Sequence, residues 1–342
     1  MSQPTPLSRR LLLATATTLA MPALVHAQAQ AQPMTKATFG LLRFVSAGPA
    51  LLAKDRGYFA AEGLDVELKF FDAAQPVAVA VSAGSLDAGA TASSAGSFNL
   101  AGKGALKFIG SQFTEKKGYP GNVLMASLDA HKAGFDTPEK LLGRTIAITQ
   151  VGSSFHYIAG QLAERFGGTM ASVKMRPLQT VSNLVAALKT SQVEGAVVPP
   201  HIANVLVATN QAVRLCAASD YVEYQGGALF TQASHVANKR DLVARIARAY
   251  QKGAADYYAA LVAPKAERRG TETVVKTLLA TVPVGDQPMA EIEAGAFYVD
   301  PLARIDVADI AKQVAWYKTQ GAVDAHVDAS TFIDTSFIPP LA

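Results

Sequence analysis

The sequence predicts an α/β chain of two lobes, each a mixed, mostly parallel sheet flanked by helices. Three observations lead there. Short apolar strands alternate with helical runs in two sets. Two polar linkers carrying Gly, at 114–121 and 218–226, separate the sets. Three strands run through a short turn straight into a helix.

Composition narrows the class. The chain has 342 residues, half of them hydrophobic and 17% charged. That suffices for two ordinary domains with a real core and excludes a disordered chain. The net charge of +4 is scattered, with no basic patch for nucleic acid. The six histidines are dispersed and show no metal-ligand spacing. Cys216 is the only cysteine, so no internal disulfide can form, and it reads as a small buried side chain. No phosphate-loop lysine motif is present, and no cofactor is expected.

The first element is a targeting segment. Ser8-Arg9-Arg10 precedes an apolar run from Leu11 to Val25, and small residues follow at Ala27, Ala29 and Ala31. Residues 1–31 therefore read as a cleaved export signal and the start of a tail. Thr15, Thr17, Thr18 and Pro22 interrupt the run, which is too short for a good membrane span. The arginine pair resembles a twin-arginine export signal, although Leu11 and Leu12 follow it. A general secretory route stays open, and either route places the mature chain in the periplasm.

The mature chain opens with a buried strand, Ala37–Leu42. Pro49 suits the first turn of a helix running through Leu51, Leu52, Lys54 and Asp55. Asp65–Phe70 alternates as a strand does, so this first unit is β-α-β with parallel strands. A helix over Val77–Ala83, a strand over Ser85–Ala90, a helix through Phe98 and Leu100 and a strand over Lys107–Ser111 complete the set. Beyond the first linker come a strand, Asn122–Ala126, and a short helix with Pro138 at its first position. Strands at Thr145–Thr149, Val173–Arg176, Val193–Val198 and Arg214–Ala217 alternate with helices. After the second linker, Leu229–Thr231 precedes a mostly helical tail, with apolar side chains at helical spacing from 239 to 262. Trp316 and Tyr317 read as packing residues. Residues 36–113 and 227–342 are thus expected to form one lobe and 122–217 the other. Linkers 114–121 and 218–226 form the hinge.

Function is read from the strand-to-helix turns. In α/β sheets, ligands bind outside the carboxyl ends of strands. The most informative turn is Gln150-Val151-Gly152-Ser153-Ser154-Phe155-His156-Tyr157. A helix start leaves backbone N–H groups unpaired, and its dipole favours an oxyanion. The alternative is that Ser153 or Ser154 is only an N-cap. Two further turns repeat the junction, Thr91-Ala92-Ser93-Ser94-Ala95-Gly96 and Pro199-Pro200-His201. The cleft between the lobes is the predicted site.

With these segments in place, the chain resembles the periplasmic solute-binding proteins of ABC importers in the nitrate/sulfonate/taurine group, also called NMT1/THI5-like. The matching stretches are Gly48-Pro49, Ala53-Lys54-Asp55-Arg56-Gly57-Tyr58-Phe59-Ala60-Ala61-Glu62-Gly63-Leu64-Asp65-Val66, Ala83-Gly84-Ser85-Leu86-Asp87-Ala88, Leu141–Ala147 and Val193–Val197. The resemblance implies a type II periplasmic-binding-protein fold. It implies closure of a monomer on a small molecule, and docking to the membrane permease of an ABC importer. Carried onto this sequence, it places ligand contacts at Phe44, Ser46, Thr91, Ser93, Ser94, Gln112, Gly152, Ser153, Ser154, Phe155, His156, Pro200 and His201. Ser93, Ser94, Ser153 and Ser154 are assigned to an anionic or polar head. Phe44, Phe155 and His201 can wall an apolar or planar body, and His156 can donate a hydrogen bond. Arg43 can pair with an acid or lie on the surface. No basic pocket residue marks nitrate or a small sulfonate.

Two other functions compete with transport. Some relatives on this scaffold make a pyrimidine phosphate, but they carry a cysteine-rich motif that this chain lacks. Ala92-Ser93-Ser94-Ala95-Gly96 lacks the first glycine of a nucleophile elbow. The expectation is therefore a binding protein and not an enzyme. A receptor that presents ligand to a sensor is the third class.

Overall fold

The computed structural model describes residues 1–2 and 34–341. The export segment expected at 1–31 lies, but for its first two residues, outside the described residues.

The first lobe starts as read from sequence. Strand β1 (Thr35–Leu41) leads to α1 (Gly48–Asp55), α2 (Tyr58–Ala61) and β2 (Leu64–Phe70). Helix α3 (Ala74–Ser82), β3 (Ala88–Ala92), α4 (Ala95–Gly102) and β4 (Leu106–Ser111) follow. β1 pairs in parallel with both β2 and β3, the right outcome for helical crossovers. Every other residue of β2 is covered, so Leu64 and Val66 face α2 and the core while Asp65 and Glu67 face solvent.

The second lobe contains β5 (Val123–Ala126), α5 (Leu128–Lys132), β6 (Thr145–Ile148) and α6 (Ser154–Arg165). It continues with β7 (Lys174–Pro177), α7 (Val181–Lys189), β8 (Gly195–Val198), α8 (Pro200–Ala208) and β9 (Val213–Ala217). The chain then returns to the first sheet as β10 (Gly227–Gln232). The rest is helical: α9 (Ala233–Asn238), α10 (Arg240–Tyr257), α11 (Thr271–Leu279), α12 (Pro288–Ala294), α13 (Val307–Thr319) and α14 (Ala329–Phe332).

Two five-stranded sheets result, ordered β2-β1-β3-β10-β4 and β7-β6-β8-β5-β9. In each, one strand runs against its neighbours: β10 is antiparallel to β3 and β4, and β5 to β8 and β9. Both arise where the chain crosses between lobes. The two crossing segments run side by side and pair at Glu115 and Tyr224, each N–H donating to the other's carbonyl at 2.9 and 3.1 Å.

Boundaries moved where tertiary packing overrides local signals. Helix α3 starts at Ala74, three residues before the apolar run, because Gln75 and Pro76 continue its first turn. β3 lies later than the expected strand over Ser85–Ala90, and Asp87 instead accepts hydrogen bonds from the Thr38 N–H and hydroxyl at 2.8 and 3.0 Å. The short helices α5, α9, α11 and α14 are additions to the elements expected from sequence. Cys216 lies in β9, 8% exposed, and burial pushes its thiol up to about 12, which disfavours the nucleophilic thiolate. Among the described residues no helix is long and apolar enough to cross a membrane.

The core is continuous across the join. Phe98 of α4 packs against Tyr317 of α13, and Tyr317 packs against Tyr157 of α6. The second lobe is therefore held to the tail by buried aromatic rings as well as by the linkers.

Candidate functional site

A small, partly open chamber of about 50 Å³ lies between the two sheets. The first lobe supplies Phe44 and Ser46 after β1, Thr91 at the end of β3, Gln112 after β4, and Ala73 and Ala74 at the start of α3. The second supplies Thr149 after β6, Ser154 and Phe155 at the start of α6, and Val181 at the start of α7. Asn122, at the exit from the first linker, and Phe113 and Phe297 complete the wall with Leu42 and Ala92. By this measure a single water needs roughly 10–15 Å³, so the chamber holds a few waters or one small polar group.

No lining residue carries a titratable acid, base or thiol. Polarity comes from hydroxyls, amides and backbone N–H groups. The Gln112 amide nitrogen donates to the Ala90 and Ser46 carbonyls at 3.1 and 3.3 Å, and its Oε1 has no partner. Asn122 is engaged elsewhere: its backbone N–H donates at 3.0 Å to Glu115, and its side-chain amide donates to the same carboxyl group. Glu115 is wholly buried in the crossing segment, and burial pushes it up to about 8.

The turn before α6 shows which helix-start donors remain free. Gly152 N–H donates to His156 Nδ1 at 3.1 Å, and Ser153 N–H to the Gln150 carbonyl at 3.1 Å. The Ser153 hydroxyl accepts from His156 N–H at 3.3 Å as the N-cap. The N–H groups of Ser154 and Phe155 have no protein partner among the described residues, and both residues line the chamber. Two adjacent unpartnered donors thus stand at the positive end of a twelve-residue helix.

Six of the residues singled out in sequence line the chamber: Phe44, Ser46, Thr91, Gln112, Ser154 and Phe155. The other seven do not. The Ser94 hydroxyl caps α4 by accepting from Ser97 N–H and donates to Gln75 Oε1, at 3.1 and 3.0 Å. Ser93 is buried with an unpartnered hydroxyl. Ser153 is the N-cap, so the capping alternative describes its side chain. Gly152 meets the first lobe through its carbonyl, which accepts from Ala95 N–H at 2.8 Å. His156 accepts through Nδ1, and its ring packs edge-on against Trp316. Pro200 is buried at the start of α8. His201 is 1% exposed, and its ring stacks obliquely on Phe44 with centroids 5.5 Å apart. Neither His201 ring nitrogen has a partner, and burial holds the imidazole down at about 3, so it is neutral. Arg43 is exposed, with its guanidinium 4.2 Å over the Phe70 ring.

Leu42, Ala73, Ala74, Ala92, Phe113, Asn122, Thr149, Val181 and Phe297 also line the chamber without being among the residues expected from sequence. Phe71-Asp72 ahead of α3 is a fourth strand-to-helix junction, and Thr149 is the strand end before the informative turn. Those two signals were present. Phe297 and Phe113 carry none, because their ring contact, 4.5 Å between centroids, joins segments far apart in the chain.

Two lobes joined by paired crossings, with a chamber where strand ends and helix starts converge, define the periplasmic-binding-protein fold. Solved structures share it. The alkanesulfonate-binding protein SsuA from Xanthomonas axonopodis pv. citri, bound to MOPS, matches with TM-score 0.70 at 18% identity, over 88% of this chain and 99% of that one. The ligand-binding component of an ABC-type import system from Staphylococcus aureus, with zinc bound, matches with TM-score 0.70 at 13% identity, over 89% and 98%. The periplasmic nitrate-binding protein NrtA from Synechocystis PCC 6803 matches with TM-score 0.66 at 13% identity, over 89% and 87%. A sequence comparison with curated proteins found no match. A family model described as NMT1/THI5 like matches residues 46–261. The chain belongs to the NMT1/THI5-like family.

Proposed function

We propose that this chain is the solute-binding component of an ABC uptake system. It captures a small anionic or polar organic solute between its lobes in the periplasm and delivers it to a membrane permease. The observation that carries this reading is the chamber itself, whose mostly apolar lining from both lobes carries uncharged hydroxyl and amide groups and includes Ser154 and Phe155, whose N–H groups have no protein partner among the described residues. An acceptor-rich head such as a carboxylate or sulfonate would satisfy those donors, and helix dipoles would offset its charge. A chamber without acid, base or thiol favours holding a solute over transforming it. That weighs against an enzyme of the pyrimidine-precursor kind.

Capture requires that the lobes part and reclose. The paired crossing segments at Glu115 and Tyr224 are the hinge in this reading, and the Ala95–Gly152 contact is the seal. The test is a thermal-shift screen of organic acids, sulfonates and pyrimidines on the mature chain. A bound solute raises the melting temperature by mass action, and the solute is recovered unchanged. Conversion of the solute would replace this reading with an enzymatic one.

A further inference from the structure

The two lobes also meet beside the chamber, and a histidine sits in that contact. His201 belongs to the first turn of α8, in the second lobe. Two residues of the first lobe cover it. The Phe44 ring, after β1, lies 5.5 Å from the imidazole between centroids. Gly295, at the C-cap of α12, stands so close that a Cβ there would lie 2.8 Å from the His201 Cβ. His201 is 1% exposed, and neither ring nitrogen has a protein partner among the described residues.

That burial costs free energy even for the neutral ring, whose one donor and one acceptor both go unpaired. A protonated ring would bury two donors and a full charge. No neighbouring element offsets that charge. Neither α8 nor β5 carries another titratable residue. On β9, Arg214 donates to the Asn204 side chain, and burial keeps Cys216 a neutral thiol. On α12, the Glu291 carboxylate accepts from the Gly285 and Gln287 N–H groups, and Glu293 pairs with Arg268. Arg43, beside Phe44, lies over the Phe70 ring. Lys189 and Asp72 line the open groove beside α8 and are exposed. None of these forms an ion pair with His201. The positive end of α8 further disfavours a cation in its first turn.

We propose that His201 is an acid-sensitive latch between the lobes: the neutral ring permits closure, and its protonation drives the lobes apart. This rests on the parting of the lobes in the uptake reading and adds a control on it. When the lobes separate, Phe44 and Gly295 leave the ring, and water reaches both nitrogens. The open form then takes up a proton near the ordinary value of 6.5, whereas burial in the closed form holds the ring at about 3. Linkage fixes the sign. Below 6.5 the open form binds one proton more than the closed form, so acid favours opening. Above 6.5 the ring is neutral in both forms, and pH no longer acts through it.

The experiment is small-angle X-ray scattering on the mature chain, stripped of solute, at steps from pH 7.5 down to pH 5. His201→Phe and His201→Leu are measured beside wild type, and circular dichroism shows that each variant is folded. Both variants keep an apolar side chain in the contact and cannot be protonated. In wild type the ratio of open to closed form should rise by up to about tenfold for each pH unit below 6.5, as one linked proton requires. The radius of gyration should grow accordingly and revert on return to pH 7.5. The variants should keep their pH 7.5 radius throughout. An unchanged wild-type radius, or the same expansion in either folded variant, overturns the latch. The thermal-shift screen at pH 7.5 is independent of this result, so loss of the latch leaves the uptake reading standing. A screen without any bound solute overturns the uptake reading, while the scattering still decides the latch.

Discussion

The N–H of Ala95, at the first residue of α4, donates a 2.8 Å hydrogen bond to the carbonyl of Gly152 in the turn before α6. One helix start of the first lobe is thus capped by backbone of the second. Gly152 has φ +83°, and a Cβ placed there would stand 2.7 Å from the Ala95 Cβ. Its lack of a side chain lets the lobes meet.

Gly152→Ala should therefore act twice. The left-handed backbone costs about 1–3 kcal/mol with a side chain present, and the methyl wedges the lobes apart. Thermal melting should show lower stability, and titration with any solute found in the screen should show about tenfold weaker binding or more. Wild-type affinity in the folded variant would show that this contact does not accompany binding.

Adjacent serines should separate by role. Ser154→Ala removes a chamber hydroxyl and should weaken an anionic solute by about 1.5–3 kcal/mol, as for a hydrogen bond to a charged group. Ser153→Ala removes an N-cap and should lower folding stability by about 1 kcal/mol with affinity unchanged. Calorimetry and urea melts on the two single variants check this, and equal effects of the two on affinity would refute it.

Glu115 predicts a pH dependence. Below about pH 4.5 its carboxyl is protonated in both folded and unfolded chains and contributes no slope. Between 4.5 and about 8 the unfolded chain loses that proton while the fold retains it, so its contribution to stability declines as pH rises and levels off above 8. The loss is on the order of a few kcal/mol. Urea melts from pH 5 to 8.5 should show Glu115→Gln lacking this decline; parallel curves for variant and wild type would show that Glu115 ionises freely in the fold.

Tyr317 supplies a further check on how the tail holds the second lobe. Its hydroxyl donates to the Ser153 carbonyl at 2.8 Å, and that carbonyl also accepts from Tyr157 N–H at 3.1 Å. Since the acceptor keeps one partner, Tyr317→Phe should cost only about 1 kcal/mol in a denaturant melt, and not the larger penalty of an orphaned buried carbonyl.

Much of this was legible in the sequence because local chemistry determines it. Apolar strands followed by Gly-Ser or Pro turns announce a sheet with helix starts at one edge, and the linkers announce two crossings. What local chemistry does not announce is which donors remain free. Gly152 N–H is taken by His156 Nδ1 within its own turn, whereas Ala95 N–H is taken by a carbonyl from the other lobe. The His201 imidazole likewise packs on Phe44 where α8 meets α12, and a Cβ on Gly295 would lie 2.8 Å from the His201 Cβ. Contacts between segments distant in the chain decide such cases, and one sequence does not display them.

The most direct measurement is a crystal structure of the mature chain grown with the tightest solute from the thermal-shift screen. Solute density is expected between Thr91 and Ser154, with the solute's head accepting hydrogen bonds from the N–H groups of Ser154 and Phe155. Density elsewhere on the molecule, with the chamber empty of solute, would contradict it.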